Sequence, residues 1–398
     1  MLRHVSSERL PTKHVTLSLK KTTRRWLGPR LGTEAVQCVR SFVLDRVGTA
    51  VTIALDHKDP PGEPVRPIGS FSVIKGLHHA GLSVANLEAA MAFYQSAQAF
   101  ELISRFAVPD RTDLRVMMGV ANSQCEIALL RGPTGFLELF EFAFPTPSHG
   151  RPNVFEAGLR HICIQAVDGN QLYDDLVSAG AKSHARPSGL GTGNLYCYVR
   201  DPEDNILELE GLPYAEGVES PPWFAHVALV TPDIKRLSDF YAEVTGAPVH
   251  ASGHFGPNRK YDVVAGLDDI VFDGAWVKAG PLTLEFWQYH QPPTLSKPKA
   301  DASGLGWSHF ALEVDDLDAD YHRLMAAGVA FHSPPMSNGA VRFVYGRDPD
   351  GNVFELLQVL PGHEHLSLDW VSGKDLPAQI DQLVAHYYRS RNNTGVGG

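Results

Sequence analysis

An α+β fold is predicted, built from four βαβββ modules that pair into two domains with curled mixed sheets around a central cleft. Three observations carry that prediction. Four strand-like segments, at 77–82, 159–164, 224–229 and 307–312, each hold a histidine at the matching place. Each is followed by a helix-like segment and, later, by a strand with an apolar-Glu-apolar centre. The copies also recur at nearly one spacing. His226 lies 147 positions after His79, His309 148 after His161, Glu285 147 after Glu138, and Glu355 147 after Glu208.

The elements follow in order. Module one opens with an alternating strand at 77–84, and Asn86 can cap a helix over 87–94. Strands are predicted at 114–120, 125–130 and 136–142. Module two runs from His161 through a helix at 170–179 to strands at 195–199 and 206–210. In module three Asp233 caps a helix at 234–244, followed by strands at 263–264, 275–278 and 282–288. Module four runs from His309 through a helix at 316–327 to strands at 342–345 and 353–358. The last two strands of modules two and four are joined by Asp201-Pro202-Glu203-Asp204-Asn205 and Asp348-Pro349-Asp350-Gly351-Asn352, both rich in turn-forming residues.

A module of roughly 50–80 residues is too small to bury much core alone, so modules must pair. Duplication at the half-way step predicts pairs one-plus-two and three-plus-four. The domains are then 72–215 and 220–361, with Pro213, Pro221 and Pro222 at the boundary. Residues 1–71 read as a basic, partly disordered extension ending in a Pro/Gly linker. Residues 362–398 read as a polar tail with a short helix near 377–388.

Bulk composition excludes several function classes. A net charge of −10 argues against a nucleic-acid surface, and no apolar run reaches membrane-spanning length. Cys38, Cys125, Cys163 and Cys197 show no CxxC spacing, so a reducing, cytoplasmic setting is the default. Residues 1–30 carry eight Lys/Arg against the single acid Glu8. That resembles a mitochondrial transit peptide, although a plain basic arm is the simpler reading. The expected partner is a small-molecule substrate, and a homo-oligomer is compatible.

The histidines and glutamates point to metal chemistry. A lone His in a strand is ordinarily a satisfied structural residue, and a lone Glu between leucines ordinarily faces solvent. Eight positions matching between two halves are harder to explain that way. Strand alternation points His79 the same way as Gly81, and Glu138 the same way as Phe136 and Phe140. Two modules facing one cleft would gather two His and two Glu, donors that suit Zn, Ni, Co, Mn or Fe(II). One or two ions per chain are expected. Four ligands on an octahedral ion leave two positions for water or substrate.

The strings Leu77-His78-His79-Ala80-Gly81-Leu82-Ser83-Val84 and Asp348-Pro349-Asp350-Gly351-Asn352-Val353-Phe354-Glu355-Leu356 resemble hallmarks of the vicinal oxygen chelate superfamily. Glyoxalase I, methylmalonyl-CoA epimerase, fosfomycin and bleomycin resistance proteins and type I extradiol dioxygenases belong to it. The resemblance covers about residues 74–360. It implies paired βαβββ modules and a metal that chelates adjacent oxygens.

On the glyoxalase and epimerase pattern the ligand sets would be His79, Glu138, His161 and Glu208, and His226, Glu285, His309 and Glu355. That pattern implies isomerase or lyase chemistry by proton transfer through a metal-chelated enediolate, with Glu208 or Glu355 as base. The extradiol pattern would instead use His226, His309 and Glu355 with Fe(II). Two further histidines of that pattern are missing: Met336, Ser337 and Asn338 stand at one place and Pro281, Leu282 and Thr283 at the other. Glu285 has no role there. The glyoxalase-type reading is therefore favoured, with a non-catalytic binding or resistance protein as a further alternative, and one pair catalytic and the other structural as a fourth.

Tyr345, Tyr198 and Trp287 are candidate substrate contacts, with Tyr345 also a candidate catalytic group. Phe286 and Phe140 could wall a pocket or serve as core. His254 and His290 are candidate proton relays beside the second site, and Arg342 and Arg347 candidate anion holders or surface residues.

Overall fold

The computed structural model describes residues 42–44, 50–52, 74–97, 100–146, 151–215, 217–296 and 301–393. Most of the basic extension, with its transit-peptide reading, lies outside them. Within it Phe42–Leu44 pairs antiparallel with Ala50–Thr52. No helix among the described residues is long and apolar enough to cross a membrane.

Beyond residue 69 the chain is one unit carrying two nine-stranded mixed sheets. Module one contains strand Ile74–Ser83, helix Leu87–Ala97, strand Glu101–Val108, helix Thr112–Met118, and strands Cys125–Arg131 and Phe136–Phe142. Module three repeats this with Trp223–Val230, Ile234–Thr245, Val249–Phe255, Arg259–Ala265, Val271–Ala279 and Leu282–Gln291. Modules two and four are leaner. They open on Gly158–Ala166 and Gly306–Val314, continue through helices Gly169–Ser178 and Leu317–Ala326, and close on Ile206–Gly211 and Val353–Val359.

The sequence places the helices. Asn86 accepts from the Ala89 amide at 2.9 Å, Asp233 from Arg236 and Asp316 from Ala319, satisfying amides that a helix start leaves free. Helix Ile234–Thr245 buries Leu237, Ser238, Tyr241 and Val244, the one-face spacing of an amphipathic helix. Leu77 and Leu82 of the first opening strand are fully buried, each worth ~1.5–3 kcal/mol.

Three expectations are corrected. Residues 114–120 and 263–264 are not strands; 114–118 and 263–264 fall in the helices Thr112–Met118 and Arg259–Ala265. Their valines read as β-formers, but Gly119 and Gly266 end each segment at φ 69° and 67°, a left-handed helix stop that glycine takes without strain. The strands Glu101–Val108 and Val249–Phe255 instead supply the missing ones. The tail helix is longer than expected, Leu376–Asn393.

The third correction is the pairing. Modules one and four share one sheet, and modules two and three the other. Gly306–Val314 runs antiparallel to Ile74–Ser83, and Trp223–Val230 antiparallel to Gly158–Ala166. Each opening strand carries its own closing strand in parallel on the outer side. The sequential neighbours are tied differently. The Tyr94 hydroxyl donates to Asp201, and Tyr241 to Asp348, both at 3.0 Å. Sheets thus join one to four and two to three, while helix-to-turn bonds join one to two and three to four.

Candidate metal centres

The pairing decides which ligands meet. One quartet is His79, Glu138, His309 and Glu355; the other is His161, Glu208, His226 and Glu285. The sets inferred from sequence are therefore exchanged between halves, each centre keeping one His and one Glu from each of two modules.

Strand register builds both quartets. His309 lies opposite Gly81, and Gly81 opposite Glu138; Ala311 lies opposite both His79 and Glu355. In the other sheet Cys163 lies opposite Glu208 and His226, and Ala228 opposite His161 and Glu285. Small residues therefore floor the quartets. A Cβ on Gly81 would fall 2.1 Å from the His309 ring, so glycine is required for that close approach. Sequence reading placed Gly81 on the His79 face but did not single out Cys163, Ala228 and Ala311 as its equivalents, although a small residue two places after each histidine is visible in the chain.

In the first quartet His79 Nε2 lies 3.3 Å from Glu138 and 3.5 Å from Glu355. His309 Nε2 lies 3.6 Å from Glu138, 3.5 Å from Glu355 and 3.2 Å from His79 Nε2. The opposite ring nitrogens are engaged from behind. Ser308 Oγ meets His309 Nδ1 at 3.0 Å. His78 Nδ1 meets His79 Nδ1 at 2.9 Å, and His78 Nε2 meets the Leu366 carbonyl at 2.7 Å. The carbonyl can only accept, so His78 donates from Nε2 and, when neutral, accepts at Nδ1. His79 then donates from Nδ1 and turns Nε2 toward the quartet.

In the second quartet His226 Nε2 lies 3.0 Å from Glu208 and 3.2 Å from Glu285. His161 Nε2 lies 3.4 and 3.6 Å from the same two carboxylates. It is buried and makes no hydrogen bond. Glu285 is held by two indoles: Trp276 Nε1 donates to Oε1 at 2.7 Å, and Trp287 Nε1 donates at 2.9 Å to Oε2, the oxygen that faces His226 and His161. Trp276 was not anticipated; it lies opposite Glu285 across two strands, a register hidden in sequence.

Burial and charge oppose each other in these clusters. Burial disfavours a charged His79, yet Glu138 and Glu355 outweigh it and hold the imidazole up at about 10. Burial likewise works against the Glu285 carboxylate, but His226 and His161 overcome it and keep the group below its usual range. Two imidazoles and two carboxylates turned inward, with an orphaned buried nitrogen among them, fit a divalent cation.

The other candidates divide. Tyr345 packs against His309 with ring centroids 5.0 Å apart, and Tyr198 against His161 at 5.1 Å. Phe140 lies 5.7 Å from the His309 ring, while Phe286 is buried in the apolar core. Arg342 pairs with Asp318 on the surface. Arg347 bonds to His332 and the Gly351 carbonyl. It lines a cleft of about 550 Å³ that includes none of the eight quartet residues. His254 and His290 do not adjoin the second quartet: strand alternation puts them and Asp273 on the face opposite Trp276 and Glu285. Cys125, Cys163 and Cys197 are buried free thiols; Cys38 lies outside the described residues.

Comparison with known proteins identifies the family and the fold. The family model described as glyoxalase/bleomycin resistance protein/dioxygenase superfamily matches residues 76–209 and again 223–356. A 2-epi-5-epi-valiolone epimerase from Actinomyces sp is 31% identical over 165 residues, 38% of this chain and 84% of that protein. Biphenyl-2,3-diol 1,2-dioxygenase 2 from Rhodococcus globerulus is 30% identical over 138 residues, 34% of this chain and 62% of that protein. The crystal structure of glyoxalase I from Zea mays superposes with a TM-score of 0.50 at 18% identity, covering 71% of this chain and 92% of that one, a likeness of fold. The chain belongs to the glyoxalase/bleomycin resistance protein/dioxygenase superfamily.

Proposed function

We propose that the chain is a divalent-metal-dependent enzyme of glyoxalase or epimerase type, an isomerase or lyase that moves a proton on a small substrate bearing adjacent oxygens. The observation that carries this reading is the separation of His226 from His309 and Glu355. The three residues a ring-cleaving site would take from modules three and four lie in two different quartets. Each quartet instead offers two imidazoles with two carboxylates, one more carboxylate than a two-His, one-carboxylate site needs.

His79, Glu138, His309 and Glu355 would hold one ion, and His161, Glu208, His226 and Glu285 another. A bound divalent ion supplies Lewis acidity, lowering the cost of negative charge on a substrate oxygen. The chain's own groups do the rest. In the second centre the two indoles fix Glu285, leaving Glu208 the freer carboxylate and the better placed general base. Glu355 stands at the corresponding place in the first. Tyr198 and Tyr345 orient substrate beside the imidazoles, and burial of both quartets limits water access.

Oxygen chemistry is the second reading. Each quartet contains the donor types that non-haem iron takes, and a dioxygenase is among the relatives. Proton NMR in deuterated water, with small 2-oxo and 2-hydroxy compounds as substrates, separates the two. Metal-dependent loss of a carbon-bound proton signal, abolished by chelator and restored by Zn or Ni, is expected. Oxygen uptake with catechols and no such exchange would overturn the assignment.

A further inference from the structure

A third cluster of metal-type donors lies outside both quartets, on the outer face of module three. His254 Nδ1 is 2.6 Å from Asp273 Oδ1, and His290 Nε2 is 2.9 Å from Asp273 Oδ2. The two rings are 5.9 Å apart at 38°, and one donor atom from each residue lies within 4.8 Å of the others. The three residues come from adjacent strands, with Val249–Phe255 at the sheet's edge. All are partly exposed, His254 most.

Module one shows that this is not a property of the scaffold. There the cross-strand pair matching His254 and Asp273 is Ala107 and Glu126, in the same register. Glu126 is neutralised by the Arg105 guanidinium. Module three replaces a carboxylate–arginine pair with a carboxylate set between two imidazoles. Two imidazole nitrogens and one carboxylate are a donor set that zinc takes, with open positions left for water.

We propose that His254, Asp273 and His290 form a third, surface metal site for a zinc-class divalent cation, clipping the edge strand to the two strands beside it. The consequence reaches inward, since the edge strand's Phe255 packs on Trp276 and Trp287, at 6.2 and 6.3 Å between ring centroids. Those are the indoles that hold Glu285.

Zinc binding by the tag-free, chelator-stripped full-length chain tests this, counted against a chromophoric competitor and compared with His254→Gln and His290→Ala. Each variant is expected to bind one zinc per chain fewer than the wild type. The difference is one whether the quartets take two ions, one or none, so failure of the interior centres and failure of this site are distinguishable. Both positions are at the surface, so the variants should keep the wild-type circular dichroism. Zinc should also raise the melting temperature of the wild type more than that of either variant. Equal stoichiometry in wild type and both variants would overturn the proposal.

Discussion

The two buried quartets use the same four side-chain types but differ in what holds them. At the first centre support falls on the histidines: His78 stands behind His79, and Ser308 behind His309. The corresponding places at the second centre are Ala225 and Arg160, and the Arg160 guanidinium is turned to the Glu156 and Ala157 carbonyls. At the second centre support falls on a carboxylate, through Trp276 and Trp287. Their counterparts at the first are Leu129 and Phe140, with Leu129 opposite Glu138 as Trp276 is opposite Glu285. The floors differ as well. The second centre has Cys163 and Glu210 where the first has Ala311 and Leu357. Duplication preserved the donors, while the surroundings diverged; if both centres bind metal, they are expected to differ in affinity and in rate.

The largest effect should come from removing the base at each centre in turn. Glu208→Gln and Glu355→Gln keep size and a hydrogen-bonding oxygen but remove the basic group. At a working centre such a change should lower kcat by ~10²–10⁴-fold. Steady-state rates of the two single variants and the double variant then identify the working centre. If both singles lose half the activity and the double loses all of it, both centres turn over. If neither single nor double changes the rate, the proton-transfer reading fails.

Loosening the supports should act next in size and should be selective. His78→Ala is expected to weaken metal binding at the first centre by ~10–100-fold. Paired Trp276→Phe and Trp287→Phe changes should do the same at the second, because Glu285 loses both donors. Metal titration followed by tryptophan fluorescence reports the second centre directly in the wild type. Loss of both affinities in either variant would show that the centres are coupled.

Glu210 gives a pH-dependent contrast. Burial, reinforced by the charge of Glu208, pushes its carboxyl up to about 7. A carboxyl whose folded-state pKa lies above its unfolded value binds its proton more tightly when folded. Its effect on stability is therefore lost as pH rises from the unfolded value, near 4.3, through 7. Glu210→Leu, which copies Leu357 of the first centre, removes that dependence. The metal-free variant should gain on the order of 1–3 kcal/mol over the wild type at pH 8 and nothing at pH 4. Chemical denaturation at the two pH values measures it, and equal gains at both would point to packing instead of charge.

Much of this was legible in the chain, and the exceptions have physical causes. The His and Glu positions declared themselves because a duplication holds sequence offsets fixed. Which modules share a sheet was not legible. Every opening strand presents a similar apolar face and a His two residues before a small residue, so one-plus-two and one-plus-four both gather two His and two Glu. Trp276 escaped notice because its link to Glu285 exists only across strands. The segment around Val116 and Met117 misled because a short apolar run reads alike as strand or helix, and Gly119 settles it through a φ of 69°.

The smallest predicted effect tests whether the halves are as alike in stability as in outline. Tyr94–Asp201 and Tyr241–Asp348 are matched buried bonds of 3.0 Å linking a helix to the turn of the following module. The turns differ at two places, Glu203 against Asp350 and Asp204 against Gly351; at the second, Asp204 holds φ 70° where Gly351 holds 83°. Glycine adopts that conformation without strain, whereas aspartate does so less readily. Tyr94→Phe and Tyr241→Phe should each cost ~1–3 kcal/mol, as a buried carboxylate loses a donor. Asp204→Gly should recover a few tenths to ~1 kcal/mol in the first half by relieving the backbone, whereas Gly351→Asp should cost a similar amount in the second. Thermal melts of the four variants measure the series. If Asp204→Gly destabilises instead, the bond between Asp204 and Lys182, 3.1 Å long, outweighs the relief, and the first half depends on a surface ion pair that the second does without.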